Sequence, residues 1–485
     1  MYEKHPKKMT PNQIATSVTC PALFLSAPAS NQGKTTITAA LARYFRDQGK
    51  IVKVFKTGPD YLDPQILEQA SGQPVEQLDI WMAGEAYCQQ KLYEAACTAD
   101  LILVEGAMGM FDGEPSSADL AALFNIPLAI VMDVKGMAQT AAALALGLAS
   151  YRQDIQVAGI IANRCGSERH AQLIRDALPN HIPLLASLKR DESIILPERH
   201  LGLVQASEVA EQLEVRFSAG VQWLMSSMDN GLLTLPDPVT FYPVQEANQL
   251  LYSQDCQAIA SLLEGKTIAI ARDAAFSFIY AANLTLLQTM GANLVFFSPL
   301  NDKKLPVADA LWLPGGYPEL HSKALSENTA MRSAIVDFFR QGKAILAECG
   351  GLLYCLDSLK DLEQQTYPML GILAGQGSMR GKRGCQGMQT AVFPEGEVRA
   401  HAHHRSRSDH TPEPVAYGRR QRHPAPGEAI FQTKALTAGY LHLFFPSNPQ
   451  TVAALFLKTW PSETETQFVS PAKADTMMAS TVQTN

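Results

Sequence analysis

The chain has 485 residues, enough for two or three domains of ordinary size. Hydrophobic residues make up 46% and charged residues 18%, a balance typical of globular proteins that excludes a wholly disordered or fibrous chain. The formal net charge of −7 argues against a general nucleic-acid binder, because such proteins are usually basic.

Eight cysteines are too few for a disulfide scaffold in a chain of this length. The N-terminal residues lack the uninterrupted apolar stretch of a signal peptide. The most apolar helical stretch, Ala141–Ala149, is far too short to span a membrane. We therefore expect a cytoplasmic protein with no membrane partner and no nucleic-acid partner.

Short aliphatic segments alternate with helical patterns along the first half of the chain, which predicts a parallel sheet flanked by helices. Several of these segments end in polar residues or glycine, where an open α/β sheet places its functional loops. The predicted strands are Ala22–Pro28, Lys50–Lys56, Asp100–Gly106, Leu128–Val134 and Val157–Arg164.

After residue 225 the alternation weakens, and we interpret residues 226–264 as a linker that closes with a helix, Glu246–Glu264. A second α/β series follows. Residues 461–485, rich in Ser, Thr and Gln, are predicted to be a disordered tail. The expected architecture is two α/β domains, residues 20–225 and 265–454. The predicted strands of the second are Lys266–Asp273, Ala292–Pro299, Asp309–Gly316, Lys343–Gly351 and Ala438–Pro446.

The first predicted strand leads through small residues into Gly33-Lys34-Thr35-Thr36 at the start of an alanine-rich helix. Phosphate binding needs this order, because backbone N–H groups surround the phosphate oxygens, a lysine supplies charge and a hydroxyl meets Mg²⁺. Pro28 replaces the first glycine of the usual GxxxxGK[ST] pattern, so an ordinary strand–helix turn is the alternative. The strand–loop–helix context favours a nucleotide site.

Acidic loops follow the next two predicted strands. Residues 56–64 contain Asp60, and residues 105–113 contain Glu105 and Asp112. Carboxylates at strand ends beside a phosphate-binding loop are suited to holding Mg²⁺ or orienting a nucleophile. Alone, each loop would suit a capped, solvated turn better. Next to the phosphate-binding loop, we interpret both as part of its site.

A cysteine lies between a predicted buried strand and a helix, in Glu348-Cys349-Gly350-Gly351. Such a tight turn exposes the side chain, the helix N-terminus lowers the thiol pKa, and nearby N–H groups form an oxyanion hole. Gly315 and Gly316 end another strand and supply further oxyanion donors. His442 is a candidate base for Cys349, whereas Cys355 fits a buried structural cysteine inside the following helix.

These residues carry a resemblance. Gly315-Gly316, the Cys349 turn and His442 resemble the class I glutamine amidotransferase domain, which releases ammonia from glutamine through a cysteine thioester. Members commonly have a carboxylate two residues after the histidine, where this chain has Phe444. The resemblance therefore implies a Cys–His dyad without that orienting acid.

The N-terminal half resembles the dethiobiotin synthetase-like P-loop fold. Both halves together, with GPDYLDP, VEGAMGMFDG, LPGGYPELH and LHLFFPSNP, closely resemble the cobyrinic acid a,c-diamide synthase family over residues 20–454. The resemblance implies a glutamine-dependent ligase. ATP phosphorylates the a- and c-side-chain carboxylates of cobyrinate or hydrogenobyrinate, and ammonia from glutamine displaces the phosphate.

Residue matching with that family assigns the remaining roles. Lys34 and Thr35 would hold the phosphates and Mg²⁺, and Thr35 is matched as a metal ligand together with Asp60 and Glu105. The substrate-binding face would consist of Asp60, Leu62, Glu105 and Asp112. The implied small-molecule partners are a corrinoid polycarboxylate, ATP and glutamine.

One stretch departs from the family pattern GHEFHYS. Residues 400–406 read AHAHHRS, in which His401, His404 and Ser406 still align. Histidines one apart suit a strand, and no acidic or thiol side chain is adjacent in the sequence, so we favour a strand over a metal site. Residues 380–422 carry nine Lys or Arg against four Asp or Glu. That excess fits attraction of a polycarboxylate substrate or a solvated basic loop.

Two other families compete. Cobyric acid synthases share both domains but amidate other corrin side chains, and they resemble the GPDYLDP segment less. A P-loop switch ATPase would explain the first half only and gives no role to Cys349 and His442. The sequence leaves open whether the ring holds cobalt, the order of the two amidations, the ammonia route and the oligomeric state, a homodimer included.

Overall fold

The structure, a computed structural model, describes residues 17–196, 198–199, 202–203, 209–227, 229, 231–244, 259–381 and 384–461. The chain forms two compact units that divide near residue 258, with the short segment Ile279–Asn283 grouped with the first. Most of the predicted helix Glu246–Glu264 and nearly all of the predicted tail lie outside the described residues. Within the described ranges, no helix is long and apolar enough to cross a membrane.

The first unit contains ten strands and seven helices among the described residues. Its strands are β1 (Val18–Ser26), β2 (Val52–Thr57), β3 (Glu76–Leu78), β4 (Leu101–Glu105), β5 (Leu128–Asp133), β6 (Val157–Cys165), β7 (Leu184–Lys189), β8 (Glu198–Arg199), β9 (Gly202–Leu203) and β10 (Pro238–Phe241). Its helices are α1 (Lys34–Asp47), α2 (Leu62–Ser71), α3 (Glu85–Ala96), α4 (Ser117–Leu123), α5 (Thr140–Ser150), α6 (Glu168–Ala177) and α7 (Ala210–Met225).

The main sheet of this unit has the order β3-β2-β4-β1-β5-β6-β7, with parallel neighbours throughout, and β10 pairs antiparallel with β1. Hydrophobic clusters cover both faces of the sheet. Burial on both faces explains why its strands are continuous aliphatic runs, as in β4, where all five residues are buried. The five predicted strands are confirmed, whereas β3, β7 and β10 were not anticipated.

The second unit continues the numbering. Its strands are β11 (Thr267–Ala271), β12 (Asn293–Phe297), β13 (Ala310–Leu313), β14 (Ala344–Glu348), β15 (Ser358–Lys360), β16 (Thr366–Pro368), β17 (Gln376–Met379), β18 (Cys385–Phe393), β19 (Gly396–His404), β20 (Ser406–Asp409), β21 (Ala416–Arg420), β22 (Pro426–Thr433), β23 (Leu436–Gly439) and β24 (Leu441–Leu443).

The remaining helices are α8 (Ala281–Thr289), α9 (Ser322–Glu327), α10 (Thr329–Arg340), α11 (Gly350–Cys355) and α12 (Pro449–Leu457). Short 3₁₀ helices cover Pro318–Leu320 and Phe445–Ser447. The main sheet has the order β12-β11-β13-β14-β23-β22-β21-β18-β19-β24, parallel from β12 to β23 and antiparallel beyond. A smaller sheet has the order β16-β15-β17-β20.

The prediction of a single strand over Ala438–Pro446 is wrong, because the structure has two strands there. Gly439 ends β23, which pairs with β14, and Leu441 begins β24, which pairs with β19 elsewhere in the same sheet. The chain breaks the strand at Tyr440 because the two halves join different neighbours. This break places His442 opposite His401 on β19.

Candidate functional sites

The loop after β1 brings Lys34 and Thr35 to the first turn of α1. Gly33, just before that helix, has left-handed backbone angles (φ 95°, ψ 20°), and a β-carbon there would collide with Nδ2 of Asn163. Glycine meets both conditions without strain. The first N–H groups of a helix have no partner within it, so this helix start is suited to binding an anion such as a phosphate.

Lys34 turns toward the loop that follows β4. Its Nζ donates to the carbonyl oxygen of Met108 at 2.7 Å and lies 3.4 Å from that of Ala29. Burial, followed by the positive charge of Lys56, lowers the pKa of Lys34 to about 8. An anion bound beside Lys34 would favour its charged form. A phosphate bound at this loop would therefore raise the pKa of Lys34 and keep it charged.

Thr35 contacts carboxyl groups at the ends of the central strands. Its Oγ1 donates to Oε1 of Glu105 at 2.8 Å and lies 3.3 Å from Oδ2 of Asp63. Nζ of Lys56, at the end of β2, lies 2.7 Å from each of those two carboxylate oxygens. Thr35, Lys56, Asp63 and Glu105 form one buried polar group, which we call the acidic cluster.

Charge pairing holds the acidic cluster together against burial. Burial disfavours the charged form of Lys56, but Asp63 and Glu105 outweigh it and raise the pKa of Lys56 above its usual range. Burial likewise opposes ionisation of Asp63, yet Lys56 and hydrogen bonds bring its pKa below the ordinary value. For Glu105, the effect of burial exceeds that of the Lys56 charge, so its pKa is raised. Lys56 and Asp63 therefore form the charged core of the cluster.

The predicted Asp60 and Leu62 lie beside this cluster. Oδ1 of Asp60 accepts a hydrogen bond from the backbone N–H of Leu62 at 3.1 Å. Burial and the neighbouring Asp63 raise the pKa of Asp60. Leu62 is half-buried and begins α2. The loop after β2 thus adds a second carboxyl group and an apolar side chain to the edge of the site.

Asp112 is exposed, and its Oδ2 accepts a hydrogen bond from the backbone N–H of Gly109 at 3.1 Å. Its charge acts on Lys34, so both lie at the same end of the sheet. Thr36 is half-buried in the first turn of α1. The structure therefore collects every predicted residue of the nucleotide and substrate face around the carboxyl ends of β1, β2 and β4.

Sequence reasoning overlooked three polar residues of this region. Lys56 and Asp63 lie inside the acidic segment 56–64, but only Asp60 and Leu62 were assigned roles from it. Asn163, whose Nδ2 donates to the carbonyl oxygen of Gln32 at 2.8 Å, holds the loop before α1. The lysine at the strand end was a signal for the cluster, since a buried lysine requires carboxylate partners.

In the second unit, Cys349 occupies a sharp turn between β14 and α11, with φ 46° and ψ −98°. Residues other than glycine rarely adopt positive φ, and strained turns of this kind present nucleophiles. Its Sγ lies 3.9 Å from the carbonyl oxygen of His403, and the N–H of Gly350 interacts with the thiol. Cys355 is fully buried in α11, as expected for a cysteine inside the helix.

The loop after β13 joins the elements that carry the cysteine and the histidine. A β-carbon at Gly315 would collide with the ring of His442, and one at Gly350 would lie 3.0 Å from the backbone nitrogen of Gly316. The His442 ring also interacts with the His403 carbonyl group, which the thiol approaches too. The fold therefore brings all five predicted residues of this site together.

The structure corrects the expected acidity of the thiol. A helix start predicts a lowered pKa, but α11 has only six residues, and burial, followed by the charge of Glu319, raises the pKa of Cys349 above its ordinary value. Burial, followed by His401 and His403, lowers the pKa of His442. Both shifts favour the neutral thiol and the neutral imidazole, and a neutral imidazole has one ring nitrogen that can accept a proton.

Glu348 links the strands that carry the two residues. Its Oε1 accepts a hydrogen bond at 3.1 Å from the backbone N–H of Leu443, so the neighbour of Cys349 is tied to the neighbour of His442. Burial raises the pKa of Glu348 to about 8. Phe444, at the position where a carboxylate is common, is fully buried. The Glu348 carboxyl group therefore positions the histidine strand.

Comparison with known proteins assigns both halves. Residues 23–204 match the CobQ/CobB/MinD/ParA nucleotide binding domain, and residues 267–450 match the CobB/CobQ-like glutamine amidotransferase domain. A solved glutamine amidotransferase structure covers 39% of this chain and 96% of its own, with 17% sequence identity and a TM-score of 0.29, which is too low to support a conclusion.

Two curated relatives match almost the whole chain. The hydrogenobyrinate a,c-diamide synthase of Stutzerimonas stutzeri (strain A1501) is 48% identical over 440 residues, which cover 91% of this chain and 99% of that protein. The cobyrinate a,c-diamide synthase of Herminiimonas arsenicoxydans is 45% identical over 439 residues, with 90% and 96% coverage. The chain therefore belongs to the family of cobyrinate and hydrogenobyrinate a,c-diamide synthases, which are glutamine-dependent amidoligases.

Proposed function

We propose that this chain uses ATP and glutamine to amidate the a- and c-side-chain carboxylates of cobyrinate or hydrogenobyrinate. The observation that carries the proposal is the presence of two complementary sites in one chain. One unit holds a phosphate-binding loop beside carboxylates, and the other holds a cysteine–histidine pair at a glycine loop. Activation of a carboxylate and release of ammonia require both.

The nucleotide phosphates bind at Gly33, Lys34, Thr35 and Thr36. The geometry of Gly33 and the helix start behind it support backbone contacts to phosphate oxygens. Lys34, whose charged form burial disfavours, gains stability when the γ-phosphate approaches. Its charge then offsets the negative charge that develops during phosphoryl transfer.

The acidic cluster, together with the neighbouring Asp60, fits Mg²⁺. Oε2 of Glu105 is buried and, among the residues that the structure describes, accepts no hydrogen bond. Hydroxyl and carboxylate oxygens are the ligands that Mg²⁺ prefers. Thr35, Asp60 and Glu105 would hold the ion, which when bound neutralises phosphate charge.

The substrate carboxylate lies against the loops after β2 and β4. We assign Asp60, Leu62, Glu105 and Asp112 to this face, because the two loops meet at the carboxyl ends of the strands beside the phosphate-binding loop. Leu62 offers apolar contact to a macrocycle. Asp60 is tied to Leu62 on this face, because its Oδ1 accepts a hydrogen bond from the backbone N–H of Leu62.

In the glutaminase unit, Cys349 attacks the amide carbon of glutamine. The neutral His442 accepts the thiol proton and returns it to the leaving nitrogen, so that ammonia departs and a thioester remains. Backbone N–H groups of Gly315, Gly316 and Gly350 stabilise the oxyanion. Water then hydrolyses the thioester to glutamate.

The two half-reactions meet at the corrin carboxylate. Transfer of the γ-phosphoryl group from ATP gives an acyl phosphate and ADP. Ammonia attacks the acyl carbon, the carbon–oxygen bond to phosphate breaks, and an amide and inorganic phosphate are released. Phosphorylation is required because a carboxylate by itself is a poor electrophile.

We further propose a cytoplasmic enzyme that acts on small molecules, either as a monomer or as a homodimer. The described cysteines are all free, and free thiols are usual in reducing compartments. Size-exclusion chromatography with light scattering distinguishes the two assemblies, and fractionation of cells tests the compartment.

The decisive experiment offers the purified chain each macrocycle separately, with ATP, Mg²⁺ and glutamine, and follows the products by mass spectrometry. We expect mono- and diamides of at least one macrocycle, and failure with both would overturn the proposal. Lys34→Ala is the control for the ligase half. It should lose amidation yet retain glutamine hydrolysis, because the thiol chemistry belongs to the other unit.

A further inference from the structure

Three side chains that commonly bind metals converge on the antiparallel part of the second unit. Cys385 begins β18, His404 ends β19 and Glu428 lies on β22, and one ligand atom from each lies within 4.8 Å of the others. We call them the Cys385 cluster. Cys385 and His404 are directly opposite each other in the β18–β19 ladder, so the pairing of the strands fixes their proximity.

The spacing suits a tetrahedral ion. Nε2 of His404 lies 3.3 Å from Oε2 of Glu428, and the Cys385 thiol hydrogen-bonds to the same carboxyl group. Zinc bonds of about 2.0–2.3 Å place neighbouring tetrahedral ligand atoms about 3.5 Å apart. Since the ligand atoms now lie within 4.8 Å of one another, a contraction of at most about 1.3 Å around the thiol would place them at three corners of a tetrahedron.

The histidine is also supported as metal-binding histidines usually are. Its Nδ1 lies 3.0 Å from the carbonyl oxygen of Ser406, which directs Nε2 toward the other two ligands. The ring stacks on Tyr440, with the centroids 3.9 Å apart and the planes at 10°. Side-chain exposure is 7% for His404 and 15% for Glu428, so both are largely shielded from water.

From this geometry, we propose that the Cys385 cluster binds one Zn²⁺ ion through the thiolate of Cys385, Nε2 of His404 and a carboxylate oxygen of Glu428. Water fills the fourth position, and the thiol proton passes to solvent on binding. Thiolate and imidazole ligands select zinc over Mg²⁺, which prefers the all-oxygen donors of the acidic cluster. The bound ion ties β18, β19 and β22 together.

The sequence alone argued against this site, because the AHAHHRS segment has no adjacent thiol or acid. The fold provides both, from residues 19 positions before and 24 positions after His404. His401 is not one of the three ligands, and in the β19–β24 ladder it lies opposite His442. The three ligands are distinct residues from the glutaminase pair, although the charges of Glu428 and His404 act on Cys349 and His442. The proposal does not depend on the corrin substrate.

Cobalt titration of the untagged, chelator-treated full chain tests the site, with excess Mg²⁺ present to fill oxygen-only sites. We expect one equivalent of Co²⁺ to give a thiolate-to-cobalt charge-transfer band and the absorption of a tetrahedral ion, and Zn²⁺ to displace it. Cys385→Ser and His404→Ala should abolish the band. Glu428→Gln should weaken binding by about tenfold or more.

Matched controls locate the thiolate. Cys349→Ser removes the thiol of the glutaminase site, and Cys97→Ser removes an exposed thiol of the first unit; both should keep the band at full intensity. Absence of the band in the wild-type chain, or its persistence in Cys385→Ser, overturns the proposal. Circular dichroism of each variant shows whether a lost band reflects lost folding, and the wild-type result decides the question even if one variant fails to fold.

Discussion

The two candidate sites bury polar groups in opposite ways. In the first unit, Lys56 lies 2.7 Å from both Asp63 and Glu105, and mutual attraction keeps charges inside the fold. In the second unit, burial drives the groups around Cys349 and His442 to their neutral forms. The proposed function accounts for the difference, because phosphates need prearranged charge whereas the amide of glutamine is neutral and reacts by a local proton transfer.

The largest effect is expected when Cys349 is removed, because that change should stop the glutaminase reaction and leave the ligase reaction intact. Cys349→Ala should reduce glutamine-dependent amidation by about 10⁴-fold or more, because no thioester forms. The same variant supplied with a high concentration of ammonium salt should still make amide, since the activated carboxylate accepts ammonia from any source. Product formation with each nitrogen source, measured by mass spectrometry, checks the prediction. Failure with both sources in a folded variant that binds ATP would show that the two sites are not independent.

Removing the central charge of the first site tests its pairing. Lys56→Met leaves Asp63 and Glu105 buried without their cation and should lower the free energy of unfolding by about 3–5 kcal/mol. Lys53→Met is the matched control. Lys53 is on the same strand, and its Nζ donates to the neutral amide of Gln73 at 2.8 Å. Urea denaturation measures the free energy of unfolding of both variants. Equal decreases in the two would contradict the description of Lys56 as a charge paired with Asp63 and Glu105.

The second site should respond to pH through its buried acid. Burial raises the pKa of Glu348 to about 8, so its contribution to stability is complete below the unfolded value near 4.5 and is lost as the pH rises through 8. Glu348→Gln removes that loss. The unfolding free energy of the variant relative to wild type should therefore increase by a few kcal/mol from about pH 5 to pH 9. Unfolding free energies at both pH values check it. The exposed Glu363→Gln should show no such trend, and a parallel response would refute the assignment.

The smallest effect is expected at the second cysteine of the same unit. Cys355 is fully buried within α11 and lies six residues from Cys349. Cys355→Ala should cost about 1 kcal/mol of stability through lost packing and leave glutamine hydrolysis unchanged. Steady-state kinetics and thermal unfolding measure both. A large loss of hydrolysis in a stable variant would mean that this thiol takes part in the chemistry.

Local pattern sufficed for much of the fold and for the residues that the structure brings together at the two candidate sites. The central parallel strands, such as β4 and β14, are buried on both faces and form continuous aliphatic runs. The two glycine-bearing turns are local features of three or four residues. Of the antiparallel strands β18 to β22, only the stretch of β19 around His401 was anticipated, since the alternation of the others is interrupted by glycine and charged residues. Which strands lie beside them also depends on pairing with residues distant in the sequence, which a local pattern does not reveal.

What the sequence could not supply is the effect of burial and of distant partners. The raised pKa of Cys349 depends on Glu319 and on the closed surroundings of the turn, neither of which is local. The partners of Lys56 come from α2 and β4. The Cys385 cluster joins three strands whose residues are far apart in sequence, so only the assembled sheet reveals it.

The placement of β23 beside β14 has a consequence for how the second unit folds. Ile345 pairs with Leu436, about 90 residues later, so the strand that carries Cys349 gains one of its two neighbours only when the end of the chain arrives. Non-local parallel pairing of this kind slows folding and leaves an unpaired strand edge in the interval. During synthesis, one edge of β14 therefore stays unpaired while β15 to β22 are made. The chain is most prone to aggregation through this edge before residue 436 has been synthesised.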